Sequence, residues 1–391
     1  MSVYSDRQSL GRSRLMLWVW FYTKGRSQHY HGIHTQRTWE KIHTRMQRCA
    51  RSSCPFASTW HSTHCCASCE RSGLHGPHCE RLQFGAPDAQ RPNDAQKTLP
   101  SGSTVQEHFL LGDRSYLLHL PPLAVCAASP PASHVFCFHG AGGRPDHHVN
   151  EWEPLVAAGA VVGVYPRGFN GGWALGNVPL QPSEDLEVAA AVKFVEAVLA
   201  DVEAQLPAAF TAPGRPLRFA HGFSNGAGLV QLLACVRPSL FVAASAFATQ
   251  MREGQRPMGD SRIALLQVSG MADEVIPYEG GRSRVGAIFM RAEDSASLWA
   301  DFNGCVAPTT KRSASGVLHT WEAGVPGGPR VVHLGLADVG HGIPSIASRW
   351  DDYELGATKA TGGLLGLVWE FFRAAAPPGA LAAFPVRERS V

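Results

Sequence analysis

From about residue 105 onward, short unbroken apolar runs alternate with longer stretches of helical period; before it neither pattern is sustained. His134-Val135-Phe136-Cys137-Phe138, Val161-Val162-Gly163-Val164-Tyr165, Pro216-Leu217-Arg218-Phe219-Ala220, Phe241–Ala248, Ile263–Val268 and Val331–Leu336 have strand length and little alternation. Such runs suit strands covered on both faces. Val105–Leu111 and Ser115–Leu120 read as two further strands around the turn Gly112-Asp113-Arg114. Trp152–Ala158, Asp185–Gln205, Ala227–Ala234, Ser295–Asn303 and Thr361–Ala376 read as helices between or after them. In Asp185–Gln205, the residues Leu186, Ala189, Val192, Phe194, Val195, Val198 and Leu199 share one side. Strands alternating with helices predict an α/β fold: a mostly parallel central sheet with helices on both faces. No lid-sized apolar insertion interrupts the pattern, so an open cleft is expected. No run of apolar residues reaches the length that spans a bilayer, so no membrane span is expected.

Charge divides the chain in the same place. Of 35 Lys/Arg and 32 Asp/Glu, residues 1–100 hold 14 and 6, leaving 21 and 26 for residues 101–391. The first part is therefore net +8 and the rest net −5. Six of the ten cysteines also lie in the first part. Residues 1–104 read as an Arg/His/Cys-rich extension of low order with a Pro/Gly-rich linker at its end. Residues 105–375 form the predicted domain and 376–391 a tail. Two other readings of the extension stand. The run Leu15–Tyr22, preceded by Arg12 and Arg14, is poor as a signal peptide and somewhat better as an organellar transit peptide. Cys66, Cys69, His75, His78 and Cys79 offer ligands for a zinc-knuckle-like binding module, although the spacing is not that of a knuckle. Arg45, Arg48, Arg51 and Arg71 lie nearby, but nucleic-acid binding is not expected of the chain as a whole.

The candidate chemistry centres on Gly222-Phe223-Ser224-Asn225-Gly226, which leaves an apolar run and opens a helical one. Strand, sharp turn, helix is the context of a nucleophile elbow, and its two glycines allow strand and helix to approach closely. A serine nucleophile needs a base, and the base an orienting acid. Only His319, His333 and His341 follow Ser224. His333 falls within a strand and His319 beside Trp321, whereas His341 lies in a loop after a late strand. His341 is the candidate base. Asp273 lies just past the carboxyl end of a strand, where open α/β sheets keep their reactive groups, and is the candidate acid. Glu274, Asp338, Asp351 and Asp352 are less well placed. The oxyanion donors would be the amide of Asn225 and that of Ala141 or Gly142, in the glycine loop His139-Gly140-Ala141-Gly142-Gly143. Trp173, Phe169 and Phe223 are candidate cleft walls for an apolar or aromatic acyl group, with core packing as the other reading of each. Such a site needs neither a metal nor an organic cofactor.

These stretches occur in a familiar order. Phe138–Gly143, Tyr165-Pro166-Arg167-Gly168, His221–Gly228, Gly270–Tyr278, Asn303-Gly304-Cys305 and Gly340-His341 together resemble the polyhydroxybutyrate depolymerase/feruloyl esterase family of secreted α/β-hydrolases, a group of carbohydrate esterases. The resemblance covers roughly residues 105–375. It implies an α/β-hydrolase fold, an esterase acting on polymer-associated esters, export, and the triad Ser224, Asp273 and His341. Similar proteins often carry cysteines at Cys235 and Cys305, which leaves two readings: a disulfide, which would fit export, or two buried thiols packed as small hydrophobes. Two departures bear on the substrate. Gly340-His341-Gly342-Ile343-Pro344 lacks the family's tryptophan two residues past the histidine, and Trp173 is followed by Ala174 rather than Asn.

Overall fold

The computed structural model describes residues 96–110, 114–178, 185–210, 212, 216–259, 262–342 and 363–381, with the short pairs 47–48 and 57–58. The apolar run at 15–22, the cluster from Cys66 to Cys79, Ile343, Pro344, Asp351 and Asp352 lie outside the described residues.

Eleven strands form one sheet. In chain order they are β1 (Lys97–Thr98), β2 (Thr104–Phe109), β3 (Ser115–Leu120), β4 (Ser133–Phe138), β5 (Val162–Pro166), β6 (Leu217–Phe223), β7 (Ala243–Phe247), β8 (Ala264–Gly270), β9 (Thr309–Ser313), β10 (Gly316–Trp321) and β11 (Val331–Leu336). Their order across the sheet is β9-β10-β11-β8-β7-β6-β4-β5-β3-β2-β1. The segment from β11 to β5 is parallel throughout. Both flanks are antiparallel. The helices are α1 (Leu123–Ala128), α2 (Val149–Ala157), α3 (Leu186–Gln205), α4 (Asn225–Val236), α5 (Ala292–Asn303) and α6 (Gly363–Ala375). From β4 the chain crosses to β5 on one side, then returns to β6 on the other. That reversal is a topological switch point, where the carboxyl ends of neighbouring strands leave a crevice. The sheet already starts at Lys97, so part of the expected linker belongs to the fold.

Side chains alternate across the sheet and build two cores. On β4, Phe136 and Phe138 face α3, α4 and α5, while Val135 and Cys137 face α2 and α6. Trp299 fills the first core; Trp152, Trp369 and Phe372 fill the second, where Phe372 stacks on Phe219 at 4.6 Å. Helix α3 buries Val188, Ala191, Val192, Phe194, Val195, Val198, Leu199 and Val202, while the expected Ala189 is half-exposed. Its start follows from Asp185, whose Oδ1 accepts from the amides of Glu187 and Val188 at 3.1 Å each. Asp185→Ala leaves those donors unpaired and is expected to cost about 1 kcal/mol, read as a lowered urea midpoint. Among the described residues no helix is long and apolar enough to cross a membrane.

Of the two readings of Cys235 and Cys305, the structure has the thiols: both are free. Cys235 faces the core beneath α4, with Gln255 Nε2 3.8 Å from its sulfur. Cys305 turns its thiol to the Pro329 carbonyl at 3.4 Å. Burial pushes both thiols above their ordinary value, which suits small packed hydrophobes.

Candidate active site

The end of β6 and the start of α4 nearly touch. A Cβ on Gly222 would lie 2.5 Å from the Gly226 carbonyl oxygen, and one on Gly226 would lie 1.9 Å from that of Phe138. Glycine at both positions permits the sharp turn between them. Ser224, at its apex, has φ 52° and ψ −118°. This left-handed, strained geometry is held by its amide, which donates to Phe247 O at 2.8 Å. Its side chain projects from the carboxyl edge of the sheet at the switch point.

Two loops bring partners to it. The loop after β11 carries His341, whose Nε2 is 2.8 Å from Ser224 Oγ. The turn after β8 carries Asp273, whose Oδ2 accepts from His341 Nδ1–H at 2.8 Å. The other carboxylate oxygen of Asp273 accepts from the amides of Val275 and Ile276 at 2.8 and 2.9 Å. Those two bonds fix the carboxylate plane and leave Oδ2 for the imidazole. Asp273 is buried, whereas His341 remains partly open to solvent. The other two histidines lie elsewhere: His319 and His333 face each other across β10 and β11. His333 bonds to Tyr278, and His319 to Thr310. Glu274 points to solvent and pairs with Arg284.

The glycine loop after β4 flanks the serine. Gly142 N–H already donates to Gly171 O at 2.7 Å, and Gly143 N–H to Gly140 O at 2.9 Å. Of the two expected second donors, Gly142 is therefore engaged. Asn225 is the first residue of α4, where an amide has no acceptor within the helix.

The loop from Pro166 to Trp173 is stitched to the elbow and the glycine loop by side chains that spacing gives no reason to single out. Asn225 Oδ1 accepts from the Trp173 amide at 2.7 Å, and its Nδ2 donates to Trp173 O at 3.1 Å. Gly168 N–H donates to His139 Nε2 at 3.0 Å, and His139 Nδ1–H donates to Gly140 O at 2.8 Å. The expected wall Trp173 is instead a buried brace: its indole N–H donates to His139 O at 2.8 Å and its ring packs edge-on against Phe138. Phe223 packs 5.6 Å from the His341 ring, and Phe169 is half-exposed under the Arg114 guanidinium.

Burial holds His139 neutral, with its pKa lowered to about 4, and likewise His134 in β4, also about 4. Unfolded, each returns to an ordinary value near 6.5. As pH falls below that value the unfolded chain takes up these protons first, so stability declines down to about pH 4 and then levels. At pH 5.5 the two together are expected to cost about 3 kcal/mol relative to pH 7.5. A urea midpoint equal at both pH values, with unchanged slope, would contradict this.

No family model matches the chain. The feruloyl esterase C of Emericella nidulans is 30% identical over 274 residues, 68% of this chain and 86% of that protein. A probable feruloyl esterase C of Aspergillus terreus is 29% identical over 289 residues, 72% of this chain and 89% of that protein. Among solved structures, an acetyl xylan esterase from Aspergillus awamori aligns with a TM-score of 0.44 at 15% identity, over 61% of this chain and 93% of that one, a likeness too loose to argue from. The sheet order and the relatives define the class: an α/β-hydrolase that hydrolyses carboxylic esters. The chain belongs to the feruloyl esterase C family.

Proposed function

We propose that the chain is a serine esterase that works through Ser224, His341 and Asp273 and releases feruloyl-type aromatic acids from polymer-bound esters. The observation that carries this reading is the continuous hydrogen-bond chain from Ser224 Oγ through His341 to Asp273, at 2.8 Å per link. In it, Ser224 Oγ attacks the ester carbonyl carbon while its proton passes to His341 Nε2. Asp273 holds the proton on Nδ1, so that Nε2 arrives unprotonated, and then stabilises the imidazolium. The carbonyl oxygen, now an oxyanion, faces the amides of Asn225 and Ala141 and the positive end of α4. Collapse expels the alcohol, which leaves with the proton from His341. Water, deprotonated by the same imidazole, then cleaves the acyl-enzyme and regenerates Ser224.

The aromatic preference is supported by the names of the relatives and by Phe223, whose ring lies 5.6 Å from that of His341. The test is hydrolysis by the full chain of methyl ferulate, an acetyl nitrophenyl ester and a hydroxybutyrate oligomer. Methyl ferulate is expected to give the largest kcat/KM. A preference for the hydroxybutyrate oligomer would replace the substrate and keep the mechanism. Turnover that does not depend on Ser224 would remove the mechanism itself.

A further inference from the structure

A second cluster of reactive side chains lies under the elbow, on the opposite side of β6 from α4. His148 closes the turn after the glycine loop and caps α2; Glu151 lies in the first turn of that helix; His221 lies on β6, three residues before Ser224. None of the three takes part in the chain from Ser224 to Asp273. One ligating atom of each lies within 4.8 Å of the other two. The imidazole rings of His148 and His221 are perpendicular, with centroids 5.7 Å apart.

Three features give this cluster the character of a cation site. First, His148 is 3% exposed and its Nε2 has no hydrogen-bond partner. Its Nδ1–H donates to Glu151 at 2.8 Å, so Nε2 carries a bare lone pair. Second, His221 is 1% exposed. Its Nδ1 is 2.8 Å from Ser245 Oγ, which fixes the ring. Third, Trp152 and Phe247 wall the His221 ring at 5.7 and 5.0 Å, while the Glu151 side chain, 22% exposed, keeps an edge open to water.

We propose that His148, Glu151 and His221 bind a zinc-like divalent cation. Two imidazoles and a carboxylate favour a borderline first-row ion over calcium or magnesium. Tetrahedral zinc with bonds of roughly 2.05 Å separates its ligands by about 3.3 Å, so the atoms must close by about 1.5 Å at most. Glu151, at the solvent edge, would give up its bond to His148 Nδ1 and swing to the ion. The ion would tie the segment that follows the glycine loop to the strand that ends in Ser224. Its role is that of a clamp on the active-site frame, and the esterase chemistry proceeds without it.

The test uses the full chain, stripped with EDTA and dialysed, then titrated with zinc alone against a chromophoric chelator. Uptake of one equivalent that is lost in both Glu151→Gln and His148→Gln is the expected result. A rise in Tm of several degrees with excess zinc, as mass action requires of an ion that binds only the folded state, should accompany it. Glu151→Gln alters a partly exposed residue and keeps the test alive if His148→Gln fails to fold. Cobalt adds a spectroscopic arm: nitrogen and oxygen ligands give visible d–d bands without thiolate charge transfer. Failure of the wild-type chain to take up zinc overturns the proposal. So does uptake undiminished in Glu151→Gln, or a cobalt spectrum that is all thiolate, which would put the ion among cysteines such as Cys66, Cys69 and Cys79.

Discussion

Ser224→Ala is expected to lower kcat on any ester the chain hydrolyses by roughly 10⁴-fold or more, with Tm within a few degrees of the wild type. The two halves of this expectation have separate causes. Activity falls because the oxygen that bonds His341 at 2.8 Å is gone, and no other hydroxyl stands in the described crevice at that distance. Residual turnover over water would come from substrate binding and the oxyanion amides, which the substitution leaves in place. Stability holds because the cost of φ 52° falls on any residue with a Cβ, and alanine carries the same one. The amide of residue 224 still donates to Phe247 O, and the helix behind it still starts at Asn225. A stopped-flow or steady-state assay on methyl ferulate, run beside a thermal melt, reads both. A folded mutant with wild-type kcat would end the proposed mechanism. A mutant that melts far below the wild type would instead show that the hydroxyl supports the elbow.

Much of this arrangement was legible before the structure because it rests on local physics. Continuous apolar strands can only be buried on both faces, so the parallel core from β5 to β11 could be read from its texture. The candidate order Ser, Asp, His is the chain order of α/β-hydrolases, and each residue lies just past the end of a strand because carboxyl ends of parallel strands share one edge. The edges of the sheet were less legible. Strand β9, Thr309–Ser313, is exposed along its whole length and carries Lys311 and Arg312. Such a strand has no buried face to stamp an alternation on it, and its charges protect an open edge. The short β1 is hidden in the same way inside a polar linker. Trp173 could be read either as a cleft wall or as packing, because an aromatic in a glycine-rich loop suits both until its indole N–H is seen to find a backbone carbonyl. The bridge from Asn225 to both backbone groups of Trp173 had no signal at all: an amide side chain leaves no periodicity. The disulfide came from resemblance alone, and Cys235 and Cys305 each face a polar group other than the other's sulfur.

The elbow depends on two missing methyl groups, and Gly226→Ala is the harshest single change expected in the chain. Its Cβ would stand 1.9 Å from Phe138 O, 2.4 Å from Phe138 C and 2.5 Å from His139 O. All three are backbone atoms of β4 and its exit, so no rotamer change relieves the overlap. Either α4 tilts away from the sheet or the end of β4 moves, and each carries one of the proposed oxyanion donors with it. Overlap of this size belongs with the exceptional substitutions, at roughly 4 kcal/mol or more. For a domain of this size that is a fall in Tm on the order of 10 °C. Gly342→Ala is the matched control, since a Cβ there meets nothing within 4 Å among the described residues. It should melt within about 2 °C of the wild type by the same scaling. Soluble Gly226→Ala is also expected to lose esterase activity more than a hundredfold, because the Asn225 amide and the Ala141 loop separate when β4 and α4 part. If Gly226→Ala melts and turns over like Gly342→Ala, strand and helix do not approach as closely as the 1.9 Å contact requires, and the strained serine has lost its structural cause.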